Sequence, residues 1–271
     1  LADRPKLWLH VGPAKTGTTS IQTTFFENCS TLTAHGLCYP GVPENRFSNA
    51  RYAHHFLARA AAEGDMAFVE TYLSGLPEMP DTVISSEGLY RSFANHGEAL
   101  VNLLDRYFRT TVIYYAREPV ARANSMAQQF LKTGKASLAE LNENPPRVPA
   151  RKELQRLSGL FGEDRLSVRV FGTDQFEGGD LVTDFCAAIA HPELAAHLRR
   201  VRLNESISME TAEKIDQYRR KTGDTGVIRP RDDRFRTGNT RFSLSDSAIG
   251  IVRARAARDI EWLAQTYGIH F

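Results

Sequence analysis

Apolar positions along this chain fall into two rhythms. Leu7-Trp8-Leu9-His10-Val11 is a nearly continuous apolar run, the pattern of a strand buried in a parallel sheet. Thr82-Val83-Ile84-Ser85-Ser86 and Thr110 to Ala116 read as further strands, the latter rich in β-branched and aromatic residues. Leu166 to Phe171 is a fourth strand with alternating polar positions. Between the strands the period changes to that of a helix. Ile21, Phe25 and Cys29 share one helical face. The stretch Asn49 to Leu76 is helical with a break at Gly64-Asp65. Further helices are predicted at about 97–107, 120–131, 151–161, 180–190 and 246–267.

Breakers divide these segments. Asn142 to Pro149 holds three prolines and reads as a loop or lid, and Gly223 to Thr240, rich in Arg, Gly and Asp, as a surface loop. Two late segments begin alike, Asn204-Glu205-Ser206-Ile207-Ser208 and Asn239-Thr240-Arg241-Phe242-Ser243. Each precedes a helix, and Ser243 with Asp246 fits an S-x-x-D capping signal. Strands alternating with helices predict a three-layer α/β fold, a central parallel sheet flanked by helices. The length fits a single domain over 1–271 better than two.

The first strand runs into Gly12-Pro13-Ala14-Lys15-Thr16-Gly17-Thr18-Thr19 and then into a helix. Two glycines between strand and helix are a phosphate-cradle signal, because backbone N–H groups and the helix N-terminus favour an anion there. The Walker A pattern places lysine directly after the second glycine. Here that position is Thr18, and the lysine lies inside the loop at Lys15. Lys15 is then placed to reach a shorter anion, with Thr18 and Thr19 offering hydroxyls and N–H donors to one terminal phosphate. A glycine-bearing turn without a ligand is the alternative.

Lys15-Thr16-Gly17-Thr18-Thr19 resembles the 5′-phosphosulfate loop of sulfotransferases that use 3′-phosphoadenosine 5′-phosphosulfate (PAPS), with the usual proline displaced by one to Pro13. In that family an arginine at a strand end and a serine eight positions later bind the 3′-phosphate. Arg117 and Ser125 have that spacing and context. The resemblance runs from about Lys6 to Ala190 and implies a P-loop-like fold. It implies PAPS as donor, with adenosine 3′,5′-bisphosphate (PAP) as product, bound by Lys15, Thr16, Gly17, Thr18, Thr19, Arg117 and Ser125. Arg236, in Phe235-Arg236-Thr237-Gly238, resembles the family's late nucleotide loop, though the family's lysine is absent; a solvated basic loop facing an acidic acceptor is equally open. For Arg117 the competing reading is a salt bridge with Glu118 or another acid; Arg122 is a weaker candidate phosphate contact and reads rather as a structural ion-pair residue.

Transfer to a hydroxyl needs a base and a cation for the leaving oxygen. Lys15 suits the second task. Glu87, just past the second strand, resembles the glutamate base of the glycan-acting branch, and a carboxylate there would face the ligand crevice of a parallel sheet. Capping a helix or pairing with Arg91 are its alternatives. His54 and His55 are rival bases or acceptor contacts, or ordinary residues of a helix surface or core edge; His10 reads as a satisfied core residue. The sulfuryl group carries less charge than a γ-phosphoryl group, so no metal is expected. The acceptor is expected to be a small molecule or glycan, the glutamate tilting toward a carbohydrate or glycolipid. The rival readings are a P-loop kinase with a shifted lysine and a nucleotide-binding module without catalysis.

Composition narrows the partners. Apolar residues at 42% and charged residues at 24% exclude collagen-like, coiled-coil and wholly disordered classes. A net charge of +2 argues against a nucleic-acid surface, so any anion site must be built locally. Three cysteines, Cys29, Cys38 and Cys186, are too few for a disulfide framework. A Cys29–Cys38 bridge is conceivable, with reduced thiols the default. No run approaches the ~18 apolar residues of a membrane span. No signal peptide is visible, although the chain opens on Leu1, which leaves room for a trimmed leader; the cytoplasm is the expected compartment.

Overall fold

A computed structural model describes residues 4–44, 50–76, 79, 81–201, 206–229 and 232–271. Strand β1 (Lys6–Gly12) leads through the glycine loop into α1 (Thr18–Glu27), followed by α2 (Cys29–Ala34) and the two-residue β2 (Leu37–Cys38). Two helices, α3 (His55–Ala62) and α4 (Met66–Ser74), precede β3 (Asp81–Ser85). Then come α5 (Leu89–Tyr107), β4 (Arg109–Arg117), α6 (Pro119–Lys132), α7 (Leu138–Glu143) and α8 (Ala150–Phe161). Strand β5 (Leu166–Phe171) and α9 (Leu181–Ala188) follow, and the chain ends with α10 (Met209–Thr222) and α11 (Asp246–Tyr267).

The five strands form one parallel sheet in the order β2-β3-β1-β4-β5, which bears out the predicted fold class. Strand β1 lies at its centre because it is apolar on both faces. Trp8 joins Val83, Ile113 and Tyr115 in one buried layer with Ile21 and Phe25 of α1 and Phe185 of α9. On the other face α5 packs on β1, and Tyr114 donates to Glu153 of α8 at 2.5 Å. Helix α5 meets α8 where Phe93 and Phe161 stand edge to face at 5.3 Å, and Gly97 leaves room for Leu160.

The described residues group into two compact units. The first comprises Leu1–Ala116 and Lys152–Leu203 and holds the sheet; the second comprises Arg117–Arg151 and Asn204–Phe271. The second has its own apolar core, in which Ala123, Ala127 and Leu131 of α6 meet Ala212 and Ile215 of α10 and Ala248 and Val252 of α11.

Several element boundaries differ from the sequence expectation for identifiable reasons. Helix α5 starts at Leu89, eight residues before the predicted Gly97, and bends at His96, where φ is −130°. The region predicted as one broken helix is α3 and α4, parted at Gly64; Asn49 lies outside the described residues. Helix α7 takes the front of the proline-bearing loop, closed by a Ser137–Glu140 capping box. Ser243 does not cap α11. Side chains Asn124 and Asn142 accept from the N–H groups of Leu244 and Ser245, which keeps the chain extended for two more residues. Ser245 is the cap and Asp246 the first helical residue. The two look-alike late segments meet through an antiparallel bridge, Ser208 to Arg241. All three cysteines are free thiols.

Beneath the sheet's first face sits an ion pair whose acid is buried. Asp184 of α9 is 1% exposed and takes both donors of Arg169 at 2.5 and 2.8 Å, together with the Tyr115 hydroxyl at 2.7 Å. Removing one partner of such a pair strands a buried charge. Arg169→Met should therefore lower unfolding free energy by about 3 kcal/mol in urea titrations, against less than about 1 kcal/mol for the exposed Arg106→Met.

Candidate functional site

The glycine loop owes its shape to its φ angles. Gly12, Lys15 and Gly17 all lie in the left-handed region, at 94°, 73° and 71°. Lysine tolerates that region poorly, so Lys15 is held there by its surroundings. Thr16, fully buried, ties the loop across itself by donating to Pro13 O at 2.6 Å. Gly17 packs so closely under Leu181 and Phe171 that a methyl group there would lie 2.2 Å from Leu181 Cδ2. Gly17 also forms the N-cap of α1 without a side-chain cap, and the first turn carries no acid. Thr18 is buried and Thr19 exposed at this helix start. Successive turn N–H groups and a helix N-terminus together suit an anion.

Strand register brings Glu87 to this loop. His10 of β1 lies opposite Ser85 of β3, so the residues two further on, Gly12 and Glu87, leave the sheet side by side. A Cβ on Gly12 would stand 3.0 Å from Glu87 Cβ. Glu87 does not cap α5, whose N-cap is Gly88; its Oε2 accepts from Gln22 Nε2 of α1 at 3.4 Å.

The two predicted histidines separate in role. His54 is fully buried, accepts from Ser85 N–H at Nδ1 (3.1 Å) and donates from Nε2 to Pro40 O (3.0 Å). Both nitrogens are thus committed to backbone, and burial pushes its pKa down to about 4. The acceptor-contact expectation for His54 gives way to a structural one, joining the segment before α3 to the end of β3. His55 is half-buried, and its Nδ1 lies 2.9 Å from Ser86 Oγ. Burial lowers its pKa, Glu87 acting in the opposite sense and Arg59 adding to the lowering. Gly88 permits this approach, since a Cβ there would meet Ala58 at 3.0 Å. The structure therefore gathers the loop, Glu87 and His55 within the first unit.

His10 departs from the satisfied core residue expected. It is fully buried with Nδ1 2.8 Å from Ser85 Oγ, but Nε2 has no hydrogen-bond partner. Desolvation takes its pKa down to about 3, so the ring is neutral.

The other predicted residues belong to the second unit. Glu118 caps α6, accepting from Val120 N–H at 3.0 Å and Ala121 N–H at 2.6 Å, so its carboxylate has a task besides neighbouring Arg117. Arg117 is half-buried, and its pKa is lowered by burial, with Glu118 opposing and Arg241 and Arg122 reinforcing. Arg122 is buried at 5% exposure. Ser125 is the seventh residue of α6. Arg236 is exposed and lines a cleft of about 340 Å³ with Ser206, Ser208, Thr211 and Arg241. That loop is fastened to α10: Thr237 N–H donates to Thr211 Oγ1 at 3.0 Å, and the Thr240 hydroxyl donates to Glu210 at 2.5 Å.

Sequence reasoning missed two residues here. Arg241 carried no signal beyond being one basic residue in a basic loop. Gln22 carried one that was legible: a polar residue beside the apolar stripe of Ile21 and Phe25, one turn past Thr18.

Among solved structures, the chain is similar to a sulfotransferase from Alicyclobacillus acidocaldarius, with a TM-score of 0.51 at 14% identity over 99% of this chain and 97% of that one. No protein-family model and no curated protein sequence matches it. Among the described residues no helix is long and apolar enough to cross a membrane.

The buried histidines carry a pH signature. His54 titrates near 4 in the folded chain and near 6.5 unfolded, so between those values the unfolded state binds the extra proton and stability falls as pH drops. That interval corresponds to about 3 kcal/mol. Urea midpoints measured from pH 7 to 4 should decline, and His54→Gln should flatten part of the decline. The shared features of the two chains extend to the fold: a central parallel sheet and flanking helices of the sulfotransferase kind.

Proposed function

We propose that this protein is a sulfotransferase that moves a sulfuryl group from PAPS to an acceptor hydroxyl. The observation that carries this reading is the contact of the glycine loop with Glu87, which brings an anion cradle bearing Lys15 beside a half-buried carboxylate. The fold shared with a bacterial sulfotransferase supports it. Lys15, Thr16, Gly17, Thr18 and Thr19 take the 5′-phosphosulfate end of the donor. The same reading assigns the 3′-phosphate to Arg117 and Ser125, with Arg236 as a further contact.

Glu87 takes the acceptor's hydroxyl proton as the acceptor oxygen bonds to sulfur. Lys15 stabilises the charge that collects on the 5′-phosphate oxygen as its bond to sulfur breaks, leaving PAP. His55, whose pKa burial lowers while Glu87 opposes the shift, lines the acceptor side through its contact with Ser86. The acceptor class we favour is a carbohydrate or glycolipid hydroxyl. A kinase would need its cation where Thr18 stands.

Thermal shift separates the readings. At about a hundredfold excess over Kd, PAP should stabilise the protein by roughly 2.7 kcal/mol, or ~5–10 °C, and ATP with magnesium far less. The reverse order would sink the proposal.

Variants then divide the roles. Glu87→Gln should cut turnover of PAPS about 10²–10⁴-fold while PAP affinity, measured by calorimetry, stays within about twofold. Lys15→Ala should weaken both.

A further inference from the structure

Gln22 is the one side chain of α1 that reaches Glu87 among the contacts of the described residues, and it is 1% exposed. Its Nε2 stands 3.2 Å from Ser85 Oγ, 3.4 Å from Ser85 O and 3.4 Å from Glu87 Oε2. A carboxylate oxygen only accepts, so the atom facing it must be the amide NH₂, which sets the amide's orientation. Two N–H bonds shared among three acceptors account for distances at and beyond the long end of the usual range of about 2.7–3.2 Å.

The chain of donors continues behind Ser85. Burial keeps His10 neutral, so one ring nitrogen carries hydrogen. If Nδ1 carried it and donated to Ser85 Oγ, the Ser85 hydroxyl hydrogen would find only another donor at Gln22. The consistent arrangement runs one way: Gln22 N–H donates to Ser85 Oγ, and Ser85 O–H donates to His10 Nδ1. The His10 proton is then on Nε2, the atom without a hydrogen-bond partner, in a ring that packs against Phe185 at 5.1 Å and edge-on to Tyr115 at 6.0 Å. Ring faces are weak acceptors for such an N–H. His10 and Ser85 are thereby a fixed anchor, and the free end of the chain is the amide N–H aimed at Glu87.

We propose that Gln22 is a positioning residue for Glu87. Anchored through Ser85 to His10, it holds Oε2 and so leaves Oε1 to face the acceptor. The proposal rests on the reading of Glu87 as the base. Binding of the donor is not its task, because Gln22 is buried against β3 rather than exposed in the loop. The expected effect is therefore on turnover, with the donor's own binding spared.

The test has two arms. Gln22→Met keeps length and volume but loses the amide. With PAPS as donor and N-acetylglucosamine, octyl glucoside and 4-nitrophenol as acceptor probes, kcat should fall about 10–100-fold while the KM for PAPS stays within about twofold. An unchanged kcat, or a loss confined to KM, would overturn the proposal. The second arm needs no turnover. In ¹⁵N-labelled protein the Gln22 side-chain NH₂ signals, identified by their disappearance in Gln22→Met, should shift in Glu87→Ala and in Ser85→Ala. Signals that stay in place in Glu87→Ala overturn the proposal whatever the kinetics. If the signals move while the wild-type chain transfers sulfuryl to none of the probes and PAP does not stabilise it, the contact stands and the sulfotransferase reading is what fails. Retained PAP binding by Gln22→Met shows that the variant folds.

Discussion

The parallel pairing of β1 with β3, His10 opposite Ser85, sets the geometry of everything at the glycine loop. Side chains alternate across a strand, so a slip of one residue would turn Trp8 and His10 to the face now held by Leu7 and Leu9. The apolar layers on both faces hold the register. Trp8 and Val83 are buried with α1 and α9 on one side, and Leu7, Leu9 and Ile84 are buried on the other. Because the register is held there, Gly12 and Glu87 emerge together two residues later. Gly12 is poorly replaced by anything larger, since its φ of 94° strains an L side chain and a Cβ would press on Glu87 Cβ at 3.0 Å.

The same strand ends collect an unusual load of buried polar groups. His10, Gln22, His54, Ser85 and Ser86 are each at most 1% exposed. Burying such groups is costly unless they are hydrogen-bonded, and here they bond mainly to one another and to β3. An apolar plug would serve stability as well or better. What the network adds is orientation: each group has a defined donor or acceptor state, and the two histidines are neutral because burial outweighs their partners. A carboxylate set beside such a network inherits a fixed direction.

Much of this is legible in the sequence alone. The strand–loop–helix at Gly12–Thr19 and the strands at 82–86, 110–116 and 166–171 follow from uninterrupted or alternating apolar runs flanked by breakers. Strand β2 was not legible, because a two-residue strand has no period; its place depends on pairing with β3. The front of α5 was missed because Leu89 to His96 is polar enough to pass for a loop, and its apolar positions, Leu89 and Phe93, count only once α3 and α8 cover them. Ser243 had the capping motif, but Asn124 and Asn142, each more than 100 residues away along the chain, decide where α11 begins. For the site, Lys15 and Glu87 were visible as residue types at strand ends. The tasks of His54 and Gln22 were not, since each depends on which atom of β3 it meets.

Electrostatics within the second unit adds a last constraint. The chain as a whole is nearly neutral at +2, yet Arg117 feels both Arg122 and Arg241 as repulsive neighbours. Glu118 acts on Arg117 in the opposite sense, and its carboxylate also closes the first turn of α6. The repulsion is strongest with low-dielectric surroundings, and Arg117 is half-buried and Arg122 buried. Arg241 is not there by accident of a floppy loop: the bridge to Ser208 and the Thr237 and Thr240 contacts to α10 hold its segment in place. In the proposed sulfotransferase reading this segment meets the donor's 3′-phosphate, whose oxygens match the planar donor forks of guanidinium groups best.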